Sequence, residues 1–169
     1  MGGVSPKALE FAILCASRSN EVRGAKWDEF DIKSKIWTVP RGRMKEGQEH
    51  QVPLSARAIE LLTAIKCLSP DSYVFPGMRQ GRPLSDMALS AVLRRLGCSY
   101  TTHGFRATFR MWCGDTNAEA REIAEMCLSH KVGTRVELAY ARTTMLDRRR
   151  AVLEAWAKYC GTLPITSEE

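Results

Sequence analysis

The sequence predicts an α+β domain that is mainly α-helical and carries a small three-stranded antiparallel sheet near its N-terminus. Two patterns predict it. Between residues 27 and 53 apolar residues alternate with polar ones, as in half-buried strands, and after residue 55 they recur at helical spacing. A chain of 169 residues is long enough for one domain with a substantial core.

The first third of the chain predicts one helix and then the sheet. The segment SPKALEFAILCASRSN has Pro6 near its first turn and a helical apolar pattern that ends in the polar cluster at residues 17–20. The segment KWDEFDIKSKIWTVP, with Trp27 as its first large apolar residue, predicts two short strands around a turn near Ser34. The segment RGRMKEGQEHQVPL predicts the third strand, with Lys45 between two extended pieces.

The rest of the chain predicts five helices. SARAIELLTAIKCL follows a Ser55 cap, and LSDMALSAVLRRLG is expected to be capped by Ser85 and ended by Gly97. The other three are TTHGFRATFRMWCGD, NAEAREIAEMCLSH and MLDRRRAVLEAWAKYC. The three consecutive arginines at 148–150 are expected to form a solvated helix face, since acidic residues lie beside them. The polar tail at 161–169 is expected to be loose.

The charge balance indicates a polyanionic partner. The net charge is +6, and 17 of the 25 cationic residues are arginine, whose planar fork suits phosphate. Nucleic acid is the first candidate, although a merely basic protein has the same composition. No apolar run approaches the roughly 20 residues that span a bilayer. The start of the sequence also has no signal-peptide pattern, so we expect a cytoplasmic location and no membrane partner.

The six cysteines include no C-x-x-C pair and are too sparse for a secreted disulfide scaffold. Most lie in apolar, helical surroundings, where cysteine is usually a small buried hydrophobic residue. A zinc site formed by Cys113, Cys127 and His130 would match no common zinc module. We therefore expect neither a metal nor a cofactor.

The segment YTTHGFRATFRMW places His103 and Arg106 three positions apart, behind two threonines that could cap a helix. Residues i and i+3 share a helix face, and a helix N-terminus favours anions. The pair therefore suggests a phosphate site. Taken alone, it fits an exposed histidine beside a structural arginine slightly better, because short motifs match by chance.

The neighbouring motifs give this pair a context. Arg18 in CASRSNEVRGAKW and Lys45 precede it, and His130 in LSHKVGTRVELAYART and Tyr140 follow it. In this order the chain resembles the catalytic domain of the tyrosine recombinase (phage integrase) family, over residues 9–159. The motifs HGFRATFR, VFPG and LSDMAL are most similar to integrases of prophages and genomic islands. The resemblance implies that family's catalytic-domain fold.

The resemblance also implies an activity, which is site-specific DNA recombination through a 3′-phosphotyrosine intermediate. Tyr140 would be the nucleophile, and Arg18 and Arg106 would hold the non-bridging oxygens of the scissile phosphate. Lys45 would protonate the leaving 5′ oxygen. A free tyrosine has a pKa near 10, so its attack at neutral pH requires removal of a proton in the transition state.

The remaining implied roles are supporting ones. His103 would exchange a proton with the tyrosine, and His130 would hydrogen-bond the phosphate. Glu21 matches an acidic accessory position that would orient Arg18. We also expect Arg23 and Arg110 to contact the DNA backbone.

The same resemblance sets the expected domain boundaries and partners. Residues 1–169 would form a single catalytic domain, with 1–8 as a linker remnant. The family's N-terminal core-binding and arm-binding domains would be absent, because only 17 residues precede Arg18. The partners would be double-stranded DNA attachment sites and, for the full-length protein, three further copies in a homotetramer. Two departures from the family pattern are Ser129, where a glycine is common, and a His130–Tyr140 spacing that is one residue longer than in many relatives.

Several alternatives remain open at this point. The overlap of catalytic groups permits a type IB topoisomerase-like nicking and closing activity. A DNA-binding module without catalysis, or a helical interaction domain with chance matches, would also fit. Arg18 could instead be a cation at a helix C-terminus. The last helix could pack on its own domain or on a neighbouring protomer. The rivals of Tyr140 and Lys45 are Tyr73, Tyr100, Tyr159, Lys33 and Lys35.

Overall fold

The computed structural model describes residues 3–116, 119, 121–130 and 145–162. The described residues form a mainly helical domain with one three-stranded antiparallel sheet, which confirms the predicted fold class. The helices are α1 (Val4–Leu14), α2 (Ser19–Arg23), α3 (Ala56–Thr63), α4 (Ala88–Arg95), α5 (Gly104–Thr116), α6 (Arg121–Cys127) and α7 (Leu146–Gly161). The strands are β1 (Phe30–Asp31), β2 (Ile36–Val39) and β3 (His50–Pro53).

The sheet has the strand order β1-β2-β3, and its register pairs Val39 with His50. The predicted turn between β1 and β2 is confirmed, since the Ser34 backbone N–H donates to the Asp31 carboxylate at 2.9 Å. The expectation that Trp27 lies in a strand is wrong. Residues Trp27–Glu29 form a 3₁₀ turn, because the Trp27 backbone N–H is bonded to the loop carbonyl of Ser72.

Helix α1 lies at the centre of the core. The Phe11 ring is fully buried and packs against Trp37 and Phe75, with ring centroids 5.4 and 5.5 Å apart. The helix begins at Val4, inside the stretch at 1–8 that the sequence analysis treated as linker, and Ala8 is fully buried.

Of the three signals expected at the ends of α3 and α4, two are confirmed. Ser55 Oγ accepts a hydrogen bond from the Ala58 backbone N–H at 3.3 Å, and Gly97 follows α4 with a positive φ of 70°. The Ser85 cap is wrong, because α4 begins only at Ala88. Asp86, rather than Ser85, accepts a side-chain hydrogen bond there, from the backbone N–H of Met87.

Helix α7 packs on its own domain. Val152, Leu153 and Trp156 are buried, and Trp156 Nε1 donates to the Ile13 carbonyl of α1 at 2.8 Å. The apolar stripe of the last helix is therefore satisfied within the chain. No helix among the described residues is both long enough and apolar enough to span a membrane.

The expectation of a solvated arginine face at 148–150 is wrong for its central member. Arg149 is buried and donates from Nη2 to the Gln51 carbonyl of β3 at 2.5 Å. Arg150 donates to the carbonyls of Ser34 and Lys35, whereas the exposed Arg148 pairs with Glu119. The difference arises because α7 lies against β3, which covers one side of the run.

Candidate active site

Arg106 is the most buried of the candidate residues that the sequence analysis assigned to the phosphate. Thr101 Oγ1 accepts from the Gly104 backbone N–H at 3.0 Å at the start of α5, which confirms the threonine cap. In the first turn of the helix, Arg106 donates from Nη1 to the Ala16 carbonyl at 2.5 Å and from Nη2 to the Leu128 carbonyl at 2.7 Å. These two bonds fix the plane of the guanidinium group.

Both acceptors of Arg106 belong to unusual backbone. Ala16 has a φ of 48°, and Ser129, which follows Leu128, has a φ of 55°. Residues other than glycine rarely adopt this left-handed conformation. The departure noted at Ser129 therefore lies where a glycine would relieve backbone strain.

Arg18 lies immediately before α2, and its position depends on Glu21. The Glu21 carboxylate is 1% exposed, accepts from the Arg18 backbone N–H at 2.9 Å and pairs with Arg18 Nη1 at 2.8 Å. Because α1 has already ended at Leu14, the alternative that Arg18 is a cation at a helix C-terminus is wrong. Glu21 is thus bonded to Arg18, as expected for a residue that orients it.

The two arginines lie near one another. Burial, and to a smaller extent the charge of Arg18, lower the pKa of Arg106 to about 10, while the charge of Glu21 opposes the shift. Arg106 remains protonated at neutral pH. The positive charges of these two partly buried guanidinium groups repel each other. An anion bound between them would offset this repulsion, so the arrangement favours anion binding.

His130 lies just beyond α6 and is bonded to Glu125. Its Nδ1 is 2.5 Å from Glu125 Oε2, and its backbone N–H donates to the Glu125 carbonyl at 2.9 Å. Arg110, which we expected to contact DNA, donates from Nε to Glu125 Oε1 at 2.5 Å. Arg106 is bonded to Leu128, two residues before His130. The arginine of α5 therefore also holds the turn that carries this histidine.

The structure adds His50, which the sequence analysis did not single out. It lies on β3 and is 9% exposed. Burial is the main cause that lowers its pKa to about 3, and the charges of Arg149, Arg106 and Arg18 act in the same direction against a hydrogen bond to the Cys127 backbone. A neutral histidine therefore lies among the arginines. The only available signal was a polar residue at an inward position of a strand.

The remaining candidates differ in placement. His103 and Lys45 are exposed, the first directly before α5 and the second in the turn after a 3₁₀ segment at Arg41–Arg43. Arg23 is half-buried and donates to the Leu84 carbonyl at 2.9 Å. Tyr140 lies outside the described residues.

The three residues considered for zinc differ in environment. Cys113 and Cys127 are buried, and burial raises their thiol pKa values to about 12 and about 11, whereas His130 is exposed. Over residues 3–116 and the other described ranges, no group of three or more His, Cys, Asp or Glu side chains could hold a metal ion.

Comparisons with known proteins identify integrases as relatives of this chain. The model of the phage integrase family matches residues 4–146. The integrase of Enterobacteria phage P4 is 34% identical over 171 residues, which cover 90% of this chain and 39% of that protein. Prophage integrase IntA of Escherichia coli K12 is 31% identical over 149 residues, which cover 86% of this chain and 36% of that protein. The chain thus spans less than half the length of these relatives.

Two solved structures share the fold. The integrase from mycobacterium phage Brujita superposes with a TM-score of 0.71 at 19% identity, over 91% of this chain and 52% of that one. The XerA recombinase superposes with a TM-score of 0.56 at 15% identity, over 95% of this chain and 62% of that one.

Proposed function

We propose, because this chain belongs to the phage integrase family, that it is the catalytic domain of a site-specific recombinase that cleaves and rejoins DNA through a 3′-phosphotyrosine. One observation carries the proposal. Arg106 donates hydrogen bonds to the Ala16 carbonyl, two residues before Arg18, and to the Leu128 carbonyl, two residues before His130. Chance matches scattered over a helical interaction domain would not converge in this way.

The first step is an in-line displacement at phosphorus. Tyr140 Oη forms a bond to the scissile phosphorus, the bond from phosphorus to the 5′ oxygen breaks, and the phosphate stays linked to the 3′ strand. His103 accepts the tyrosine proton, and Lys45 donates a proton to the leaving 5′ oxygen. Rejoining is the reverse displacement by a 5′ hydroxyl, so it consumes no nucleotide.

The two arginines stabilise the charge that develops on the non-bridging oxygens. Their guanidinium groups are already fixed by Glu21 and by the Ala16 and Leu128 carbonyls, so little reorganisation accompanies the reaction. Removal of one preorganised donor of this kind typically costs about 3–4 kcal/mol of transition-state stabilisation. His130 provides a further hydrogen bond to the phosphate.

The partners follow from this chemistry. The domain would act on double-stranded DNA attachment sites in the cytoplasm, and the full-length protein would assemble as a homotetramer on them. Arg23 and Arg110 would also contact the DNA backbone. The basic charge of the chain supports this orientation towards DNA.

Covalent trapping tests the proposal. The protein is mixed with nicked duplexes of candidate integration sites, denatured, and analysed for a DNA-linked band. We expect a band that is absent in Tyr140→Phe and retained in Tyr159→Phe, whose side chain is exposed and stacks on Trp156. A band that survives Tyr140→Phe would exclude Tyr140 as the nucleophile. Relaxation of supercoiled plasmid without a preferred site would favour the topoisomerase-like alternative.

A further inference from the structure

We propose that Glu125 is a positioning residue that fixes the His130 imidazole, with its Nε2 edge turned towards the DNA phosphate. This inference rests on the proposed function in one respect, which is the role of His130 at the phosphate. The position of the ring itself follows from contacts within the described residues. Nothing in the order of the catalytic motifs indicated a role for Glu125.

The local backbone brings Glu125 and His130 together. Helix α6 ends at Cys127, and Ser129 turns the chain back with its positive φ of 55°. The His130 backbone N–H consequently reaches the Glu125 carbonyl at 2.9 Å, while its ring Nδ1 lies 2.5 Å from Glu125 Oε2. Glu125 therefore holds His130 through both its main chain and its side chain.

The carboxylate is itself held from the other side. Its second oxygen, Oε1, accepts from Arg110 Nε at 2.5 Å, and Arg121 Nε lies 4.0 Å away. The Glu125 side chain is 14% exposed, whereas the His130 side chain is 42% exposed. The carboxylate is thus the fixed member of the pair, and the ring has an edge open to a ligand.

Arg110 connects this pair to the arginine site. It follows Arg106 by four residues on α5, so the two side chains lie on the same face of this helix. Arg106 is bonded to Leu128, and Arg110 is bonded to Glu125. Helix α5 therefore supports the end of α6 at two points, both within five residues before His130.

The chemical consequence concerns which ring nitrogen is available. A carboxylate accepts hydrogen bonds only, so it keeps a proton on Nδ1 in every protonation state of the ring. Nε2 is then the nitrogen that faces away from the protein, and it donates a hydrogen bond when the ring is charged. Burial opposes ionisation of Glu125, but the hydrogen bonds from His130 and Arg110 prevail and lower its pKa, so the carboxylate is ionised at neutral pH.

Nitrogen NMR of the imidazoles tests the positioning directly and requires no DNA. With ¹⁵N-labelled histidine, the chain gives three ring systems, and the His130→Gln variant assigns one of them. Where the ring is neutral, we expect His130 to be protonated on Nδ1. In Glu125→Ala we expect the proton to move to Nε2, the form that free histidine prefers.

The matched control is Glu122→Ala, since Glu122 is exposed on the same helix and should leave the His130 signals unchanged. An unchanged His130 tautomer in folded Glu125→Ala would overturn the proposal. Because this measurement contains no DNA, its result is independent of whether the chain is a recombinase.

A double-mutant cycle tests the consequence for the reaction. We expect Glu125→Ala to slow formation of the covalent DNA complex at least about tenfold. A loss of this size is typical when the carboxylate that orients a metal-binding histidine is removed. In the His130→Gln background, the same substitution should have no further effect, because there is no ring left to position. Equal effects in both backgrounds would mean that Glu125 acts only on the fold, and would overturn the proposal. Absence of any covalent complex in the wild-type protein would count against the proposed function, while the NMR result would still decide the role of Glu125.

Discussion

Arg106 on α5 donates a hydrogen bond to the carbonyl oxygen of Leu128 at 2.7 Å, two residues before His130. The arginine that we propose to bind the phosphate is therefore also a structural member of the site. A second bond joins it to Ala16, in the turn that follows α1. Substitution of Arg106 consequently changes both the chemistry and the fold, and experiments on it must separate the two.

Arg106→Lys should lower the free energy of unfolding by roughly 1.5–3 kcal/mol, because one ammonium group cannot replace the charged hydrogen bonds to both carbonyls. Urea denaturation measures this loss. Arg94→Lys, an exposed change in the last turn of α4, should stay within about 0.5 kcal/mol of the wild type. The covalent complex should be lost even under conditions where Arg106→Lys is fully folded. An unchanged urea midpoint would show that the two carbonyl bonds contribute nothing to stability.

His50 should make the domain less stable in mild acid. Its folded pKa is about 3, whereas the unfolded value is 6.5. Below pH 6.5 the unfolded chain therefore binds a proton that His50 in the folded chain does not bind until about pH 3. The free energy of unfolding consequently falls as the pH falls through this window. Between pH 7.5 and 5.0 the His50 contribution to this loss is about 2 kcal/mol. Urea unfolding at the two pH values measures it.

Variants separate the contribution of His50 from the contributions of the other titrating groups. His50→Gln should show a pH dependence that is smaller by about this 2 kcal/mol. His103→Gln, at an exposed position, should behave like the wild type. Equal slopes for wild type and His50→Gln would mean that His50 has the same pKa in the folded and the unfolded chain, and would contradict the effect of its burial.

The hydrogen bond between α7 and α1 should be measurable in a single substitution. Trp156→Phe removes the donor to the Ile13 carbonyl while it keeps an aromatic ring, and it should cost roughly 1–3 kcal/mol in the free energy of unfolding. Tyr159→Phe, one turn further along α7 and exposed, should change it by less than about 0.5 kcal/mol. Similar values for the two variants would contradict the packing of α7 described here.

The sequence was sufficient for those features that depend on local pattern. Alternation around Ser34 predicted the β1–β2 hairpin, and the threonines before His103 predicted the start of α5. Helix α2 was missed, because five residues are too few to show helical periodicity. The order of polar motifs predicted the family, which the comparisons confirm.

The missed features depend on contacts between distant elements. Arg148, Arg149 and Arg150 look alike in sequence, and only the position of β3 against α7 decides that the middle one is buried. The sequence marked His50 only as a polar residue at an inward position of a strand, since the groups around it come from other parts of the chain. The bond between Glu125 and His130 requires a left-handed backbone conformation at Ser129. The residue type does not predict this conformation, because serine disfavours it.

The bond between Arg106 and Ala16 has a consequence for how the domain becomes competent. It joins residues 90 positions apart, so the chain must close a very long loop before the guanidinium group is held in place. Contacts of this separation slow folding, because a loop must close before they form, and they are lost when the domain unfolds globally. A nascent or partly unfolded chain would therefore lack the assembled anion site, and the DNA cleavage that we propose would be restricted to molecules that have completed folding.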